Sequence, residues 1–451
     1  MRKIKIHKRL YDELHAYLFQ TSPKENGCFL MTKNVGQTLF IIGYIKPQKE
    51  SWIDQEENGF RPSSEYISYA VIQSENADCS LGFVHTHPNP SHPSTFSWID
   101  VISNEQMFRN LEPLVNAAIC SLVFSTKGIH GIVYENGNYH EIESYSILNS
   151  GLTKIMDAAL KVSSQSFDEN QFDRQVRFMG KDKQYLLSNL SVSICGSGGI
   201  GSPLAVQLAK IGVGKINLFD VDKIDESNLP RIYGANPADV GKYKVDVVKR
   251  HIEATTTCKV TAVRIMISGE QPDLNSSDVI FGGLDNHTAR DILNSISIKY
   301  AIPYIDAACA IPLNDKGQVE QAIMKVHVVT SDTPCLWCGS VLRAKQIHEE
   351  GLSLEEIKKL GEDGYYSQID KQPSVISLTT LVASMAVNRL FNILGIYNEN
   401  YAVQQVFEVS TGMYTEPQIQ RNEKCRCVKN NPFSNSQLGL SVETPQYERL
   451  E

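Results

Sequence analysis

SVSICGSGGIGSPLAVQLAKIGVGKINLFDVD, residues 191–222, decides the fold of the larger part of the chain. An apolar run of strand length, SVSIC, enters the turn Gly196-Ser197-Gly198-Gly199-Ile200-Gly201. A helical segment runs from there to Ile211, and a second apolar run, KINLFD, ends on Asp220. Glycines let backbone N–H groups approach phosphates, and a helix N-terminus adds partial positive charge. A carboxylate at the end of the second strand is placed to bind ribose hydroxyls. A helix from Lys242 and the runs DVIFGGLD and PYIDAAC continue the alternation. Strand–helix alternation of this kind predicts an α/β fold, a doubly wound Rossmann-like sheet.

The glycine turn by itself suits NAD as well as ATP. The residues after Asp220 favour a triphosphate: Asp222, then Ser227-Asn228-Leu229-Pro230-Arg231, then Gly241-Lys242-Tyr243-Lys244. Hydride transfer needs no cations beside the phosphates, whereas a leaving pyrophosphate has to be neutralised by Arg and Lys. Asp285, closing DVIFGGLD, is placed for Mg2+, which binds through one or two carboxylates plus phosphate.

This ordered set resembles the MoeB/ThiF family, the ubiquitin-activating-like adenylyltransferases, from Phe172-Asp173-Arg174-Gln175 to about Cys427. The resemblance implies ATP contacts from Gly196, Gly198, Gly199, Gly201, Asp220, Asp222, Asn228, Arg231 and Lys244, with Mg2+ on Asp285. It implies that Arg174 reaches the ATP phosphates, in homodimeric relatives across the dimer, so a homodimer is expected. The implied reaction is attack of a C-terminal Gly carboxylate on the α-phosphate. Ile232 departs from the pattern, since relatives carry Gln after the Arg.

Cys335-Leu336-Trp337-Cys338 and Cys425-Arg426-Cys427 form two tight pairs. Four thiolates so grouped suit a closed, structural Zn2+ site. Members of the MoeB/ThiF family carry a matching site, usually with two CxxC pairs. Between Cys338 and Cys425 there is no cysteine, where enzymes of the ubiquitin-activating type carry their nucleophile. Cys309 reads as a buried core thiol. The chain is therefore expected to stop at the acyl-adenylate or to pass it to a thiol acceptor or conjugating-enzyme-like protein.

The first ~145 residues read differently. Leu10, Leu14, Tyr17 and Leu18 recur at helical spacing, and runs at 28–31, 38–45, 81–84, 118–124 and 131–134 read as strands with one or two helices among them. An α+β domain is expected. His85-Thr86-His87-Pro88 ends one strand, and residues two apart on a strand share a face. If a helix starts near Ser97, Asp100 lies one turn along it. Two His and a carboxylate make a three-ligand zinc site with an open position, which can supply a nucleophilic water at neutral pH. Glu25 is the candidate base and Ser97 an oxyanion donor, although Ser97 with Asp100 also reads as a helix N-cap. His92 reads as a loop residue.

The pattern Pro23-Lys24-Glu25-Asn26-Gly27, His-Thr-His-Pro and Ser-x-x-Asp resembles the JAMM (JAB/MPN) metalloprotease family over residues 8–140. It implies zinc-dependent cleavage of peptide or isopeptide bonds after the C-terminus of ubiquitin-like proteins, with His85, His87 and Asp100 as ligands and Glu25 as base. Eight residues separate Pro88 from Ser97, where six are usual. The usual spacing would align Thr95 and Trp98 with the Ser and Asp, so a longer loop is preferred.

The 451 residues are 42% apolar and 21% charged, which is globular composition. A net charge of −8 argues against a nucleic-acid binder. MRKIKIHKRL lacks an apolar signal region, so a cytoplasmic protein is expected. The apolar stretch 375–394 contains Asn388 and Arg389 and reads as a buried helix, not a membrane span. The expected layout is a JAMM domain at 1–148, a linker at 149–171 with polar residues 161–170, an adenylation domain at 172–430 and a polar tail at 431–451. Together the domains would trim or deconjugate a β-grasp, ubiquitin-like or sulfur-carrier protein and activate its terminal Gly. The alternative is adenylation of a short peptide, or sulfur-carrier activation in cofactor synthesis, with the first domain only a docking module.

Overall fold

The computed structural model describes residues 2–47, 52–56, 59–115, 118–159, 167–269, 271–353, 356, 373–397 and 400–433. The chain forms two compact units, Met1–Ser164 with Pro432–Glu451, and Gln165–Asn431. Most of the polar stretch 161–170 and of the tail after Asn431 lies outside the described residues.

Among its described residues the first unit carries ten strands: β1 (Arg2–His7), β2 (Gly27–Val35), β3 (Thr38–Ile45), β4 (Trp52–Glu56), β5 (Gly59–Pro62), β6 (Ser80–His87), β7 (Ile119–Ser125), β8 (Gly128–Glu135), β9 (Asn138–Leu148) and β10 (Leu152–Met156). Seven of them follow the order β1-β3-β2-β6-β7-β8-β9, and β1 pairs back onto β9 in parallel. The α+β expectation of a strand-rich domain is thereby sharpened to an α/β unit built on a closed barrel. Closure leaves no unpaired edge among these seven strands. Strand alternation then splits the core. Cys28 and Leu30 join one apolar cluster with Leu10, Leu14, Tyr17 and Leu18 of the helix Lys8–Phe19. Phe29 and Met31 join a second, with Tyr66, Tyr69 and Ala70 of the helix Ser64–Asn76 and Phe108 and Leu111 of the helix Trp98–Leu111. Both faces of β2 are therefore buried, and each fully covered Leu or Phe contributes roughly 1.5–3 kcal/mol. The 149–171 linker is corrected in part. β10 lies inside it and pairs antiparallel with β9, because Leu152 is buried and Asp157 is drawn into the barrel wall.

The second unit carries β11 (Ser191–Cys195), β12 (Lys215–Phe219), β13 (Lys259–Val263), β14 (Val279–Gly282), β15 (Tyr304–Ala310), β16 (Ile323–Val329), β17 (Gln404–Glu408) and β18 (Met413–Thr415), in the order β13-β12-β11-β14-β15-β16-β17-β18. β13 through β15 are parallel and the rest antiparallel. The order in which strands are added reverses at β11, where β12 and β13 are laid down on one side and β14 and β15 on the other, all in the same direction. That is the topological switch point, where open α/β sheets bind ligands at the carboxyl ends of their strands. The helix Ile376–Ile393 is long and apolar enough by length to cross a membrane, yet half of it is buried, through Val382, Ala383, Ala386 and Leu390.

Candidate functional site

At the switch point, Cys195 of β11 runs straight into the glycine turn. Gly196 has φ +91°, a left-handed conformation that a side chain would strain, and a Cβ there would meet Gly283 O at 2.7 Å. A Cβ on Gly201 would lie 1.8 Å from Gly196 O, so the loop closes only with glycine at that place. Gly198 has nothing within 4 Å of a Cβ position, which leaves one side of the loop open. The loop's backbone is held by Asp220, whose carboxylate accepts from Ser197 N at 2.7 Å and from Asp222 N at 2.9 Å. Burial outweighs these bonds and raises the Asp220 pKa above its ordinary value.

Of the predicted cations, Arg231 lies beside this loop. Arg231 Cδ lies 3.3 Å from the Cβ position of Gly199, as do Ser374 Oγ and Thr379 Cγ2. Among the described residues, Arg231 and the exposed Arg174 have no hydrogen-bonding or ionic partner for their guanidinium groups. Lys244 opens the helix Lys244–Thr255 and pairs with Asp222 at 2.7 Å. Asn228 is buried in a 3-10 turn, its amide turned onto Ser227 Oγ and Asp225 N. Asp285 is exposed beyond β14, two residues after Gly283, whose N–H bonds Cys195 O at 2.9 Å. Ser374 and Thr379 escaped the sequence reading, because a helix more than 170 residues downstream carries no local mark of where it will pack.

Four sulfurs gather in the same unit. Cys335 lies 3.9 Å from Cys338, and Cys338 lies 3.7 Å from Cys427. A tetrahedron with zinc–sulfur arms of about 2.3 Å has edges of about 3.8 Å, whereas a disulfide would need about 2.05 Å. All ten cysteines are free thiols, so the donor set fits a structural zinc.

In the first unit, β6 delivers His85 and His87 to one face. The side chains of His85, His87 and Asp100 offer donor atoms within 4.8 Å of one another. Nε2 of His85 is 3.2 Å from Asp100 Oδ1, and Nε2 of His87 is 3.3 Å from Oδ2. Burial works to raise the Asp100 pKa, but the two imidazoles outweigh it and hold the carboxyl below the ordinary range. Nδ1 of His87 bonds Pro93 O at 2.9 Å, which directs the ring's other nitrogen at Asp100. Asp100 arrives there because Ser97 caps its helix. The Ser97 hydroxyl accepts from Asp100 N, and Asp100 Oδ2 accepts from Ser97 N at 2.6 Å. Trp98, the residue that the shorter spacing would align with the ligand, is 73% exposed. The longer loop is therefore the geometry observed. Glu25 precedes β2 and is buried, with Oε1 3.9 Å from His87 Nε2. Burial pushes its carboxyl up to about 7, with Asp100 adding to the rise and His87 opposing it. His92, read as a loop residue, comes 3.9 Å from the same oxygen. The sequence reading also missed Asp157, which holds His130 at 2.7 Å, Tyr145 OH at 2.7 Å and Gly131 N at 3.0 Å.

A family model described as the ThiF family matches residues 172–427. Over 161 residues the chain is 29% identical to a probable adenylyltransferase/sulfurtransferase MoeZ of Mycobacterium tuberculosis, across 35% of this chain and 41% of that protein. It is 37% identical over 163 residues to a tRNA threonylcarbamoyladenosine dehydratase of Bacillus subtilis, across 35% of this chain and 64% of the relative. The chain thus spans less than two thirds of the length of these curated relatives. A crystal structure of Escherichia coli MccB with ATP aligns at a TM-score of 0.45 and 22% identity, over 58% of this chain and 75% of that one.

Proposed function

The chain belongs to the ThiF family, and from that premise we propose that residues 172–427 form an ATP-dependent adenylyltransferase acting on the C-terminal carboxylate of a ubiquitin-like or sulfur-carrier protein, or of a peptide. The observation that carries this reading is the glycine loop at the switch point, open beside Gly198, with the Arg231 side chain over Gly199 and no counter-ion on it among the described residues. A bound triphosphate supplies that counter-ion. The carboxylate oxygen attacks the α-phosphorus as the bond to the outer two phosphates breaks, giving acyl-adenylate and pyrophosphate. An ionised carboxylate needs no proton removed, so the work is positioning and charge neutralisation. Gly196 to Gly201 and Arg231 take the phosphates, Asp220 the ribose, Asp285 would hold Mg2+, and Lys244 can leave Asp222 for the leaving group. The test is pyrophosphate–ATP exchange with β-grasp proteins and peptides ending in Gly. Exchange lost in Arg231→Ala supports the reading, and a chain that binds no ATP rejects it.

A second reading is favoured by one observation, the convergence of His85, His87 and Asp100 with Glu25 beside them. This donor set fits zinc, which would supply Lewis-acid polarisation of a scissile carbonyl. His85, His87 and Asp100 would hold it, and the Pro93 carbonyl keeps His87 in the ligating tautomer. Glu25, buried and pushed up to about 7, suits a proton carrier at neutral pH. Ser97 OH, which accepts from Asp100 N, keeps its own proton for a developing oxyanion. The first unit would then hydrolyse a peptide or isopeptide bond beyond the same glycine. Glu25→Gln should keep its zinc and lose cleavage of a tailed β-grasp precursor. A parent protein that holds no metal at the imidazoles returns this unit to a docking role.

A further inference from the structure

Beside the candidate metal site of the first unit lies a hydrogen-bonded cluster that neither proposed reaction uses. In the sheet register His85 of β6 opposes Val123 of β7, and Val123 opposes His130 of β8. Opposed residues project to one face, so the three side chains form a row, with His85 and His130 about 10 Å apart at two strand spacings. Phe96 fills that gap. Its ring centre lies 6.1 Å from that of His85 at an interplanar angle of 23°, and 4.7 Å from that of His130 at 61°. Phe83, two residues before His85 on β6, adds a second ring, 6.4 Å away at 27°. An imidazole binds a metal through a lone pair in its own plane, so whatever sets the plane of His85 sets where that lone pair points. The neighbouring ligand is set differently, His87 by its bond to Pro93 O.

Phe96 is itself held from two directions. Its backbone continues into Ser97, the cap that places Asp100. Its ring meets His130, whose Nδ1 bonds Asp157 Oδ1 at 2.7 Å. Asp157 is buried, and its two oxygens also accept from Gly131 N at 3.0 Å, Ala159 N at 2.8 Å and Tyr145 OH at 2.7 Å. Four donors on one carboxylate fix its orientation, and Nδ1 is then the nitrogen of His130 that carries a proton. An apolar residue could fill the place of His130 against Phe96 without burying a carboxylate. A fully satisfied polar network instead commits the imidazole, and the ring resting on it, to one geometry. Among the described residues, the donors here that could share a metal are His85, His87 and Asp100, so His130 and Asp157 bear on the site through Phe96.

We propose that Phe96 is a positioning residue for the metal ligand His85, with the His130–Asp157 pair as its fixed support. The proposal rests on the zinc reading of the first unit. The flat ring holds the plane of His85, and the same residue's place in the chain ties that contact to the turn presenting Asp100. Two of the three ligands are thereby registered against one side chain.

The test uses the full chain with Co2+ as the probe metal. Visible difference spectra against His87→Ala isolate the imidazole site from the cysteine site, and the d–d bands report the geometry of its ligands. Phe96→Leu should raise the Co2+ Kd by about tenfold or more and shift the bands, while Phe96→Tyr, which keeps a flat ring, should leave both near the parent's values. His130→Gln should move Kd in the same direction as Phe96→Leu. Because His130 acts through Phe96, its substitution should add little to Phe96→Leu in the double variant. A purely structural role would lower the melting temperature and leave Kd and bands of the folded chain unchanged, and that outcome overturns the proposal. Fully additive losses in the double variant overturn it as well. A parent whose spectrum matches that of His87→Ala holds no metal at the imidazoles, and the zinc reading then falls together with the proposal. A parent that binds Co2+ no better than Phe96→Leu keeps the zinc reading and loses the proposal.

Discussion

Arg426 donates two hydrogen bonds to Asp291, 2.6 and 2.7 Å long, and so ties the second cysteine pair to the helix His287–Tyr300. The same carboxylate accepts from Trp337 Nε1 at 2.7 Å, and the Arg426 guanidinium lies 5.4 Å from the Trp337 ring centre. One carboxylate thus clamps the residues inside both cysteine pairs and brings Cys335 to 3.6 Å from Cys425, 90 residues away in sequence.

Zinc stoichiometry follows from this arrangement. Four thiolates in one unit and two imidazoles with a carboxylate in the other make two separable sites. Metal analysis of the parent should find two zinc equivalents. Cys425→Ser should lose one of them with a fall in melting temperature, and His87→Ala should lose the other with little change. Asp291→Asn should keep the metal but lower the melting temperature by roughly 3–10 °C, since it weakens charged hydrogen bonds on both cysteine pairs. Equal metal content in parent and Cys425→Ser would refute the structural zinc.

The glycine loop offers a contrast between two neighbours. A methyl on Gly201 collides with Gly196 O, while one on Gly198 meets nothing in the folded chain. Gly201→Ala should therefore lower thermal stability by about 1–3 kcal/mol, as overpacking does. Gly198→Ala should melt like the parent but weaken ATP by about tenfold or more, because the vacant side of the loop is where phosphate oxygens approach the backbone. Thermal melts beside ATP titrations separate the two effects. ATP affinity unchanged in Gly198→Ala would place the phosphates elsewhere.

What was readable beforehand follows the range of the interactions involved. The glycine turn, Asp220 and the strand–helix alternation are local patterns, and the second unit follows them. His85 and His87 share a face because a strand has period two, which sequence alone supplies. Barrel closure was not legible, since β1 and β9 meet in parallel register across more than 130 residues. β1 itself, RKIKIH, alternates like a half-exposed strand, yet all six residues are buried because β3 and β9 flank it on both sides. Asp157 sat in a stretch that reads as linker by composition. Only the folded barrel shows that His130, Tyr145 and two backbone N–H groups need its carboxylate.

Asp239 anchors the turn that leads into Lys244, and its pH dependence can be signed. Arg250 makes two bonds to it, of 2.7 and 2.8 Å, and Lys242 and Asn236 N add two more. These partners, Arg250 foremost, hold its carboxyl well below the ordinary value. A depressed carboxylate pKa contributes stability that is complete above the unfolded value, about 3.9, and is lost as pH falls through the folded one. Asp239→Asn should cost about 2–3 kcal/mol at neutral pH and much less near pH 2, read as urea midpoints across that range. A cost independent of pH would show that the carboxylate charge contributes nothing.

The buried pair Arg290–Asp306 lends itself to a double-mutant test. Both side chains are almost fully covered, and Arg290 is kept charged by its partner despite burial. Removing one partner strands a desolvated charge, so Asp306→Leu should cost about 3–5 kcal/mol. Replacing both, as Arg290→Met with Asp306→Leu, should recover much of that loss, because the desolvation penalty disappears along with the attraction. Tyr304 OH would still have lost its acceptor, which leaves a residue of about 1–2 kcal/mol in the double variant. Urea denaturation of the two variants and the parent supplies the comparison. If the double variant is as unstable as Asp306→Leu alone, the loss lies in packing around the carboxylate and not in the unpaired guanidinium.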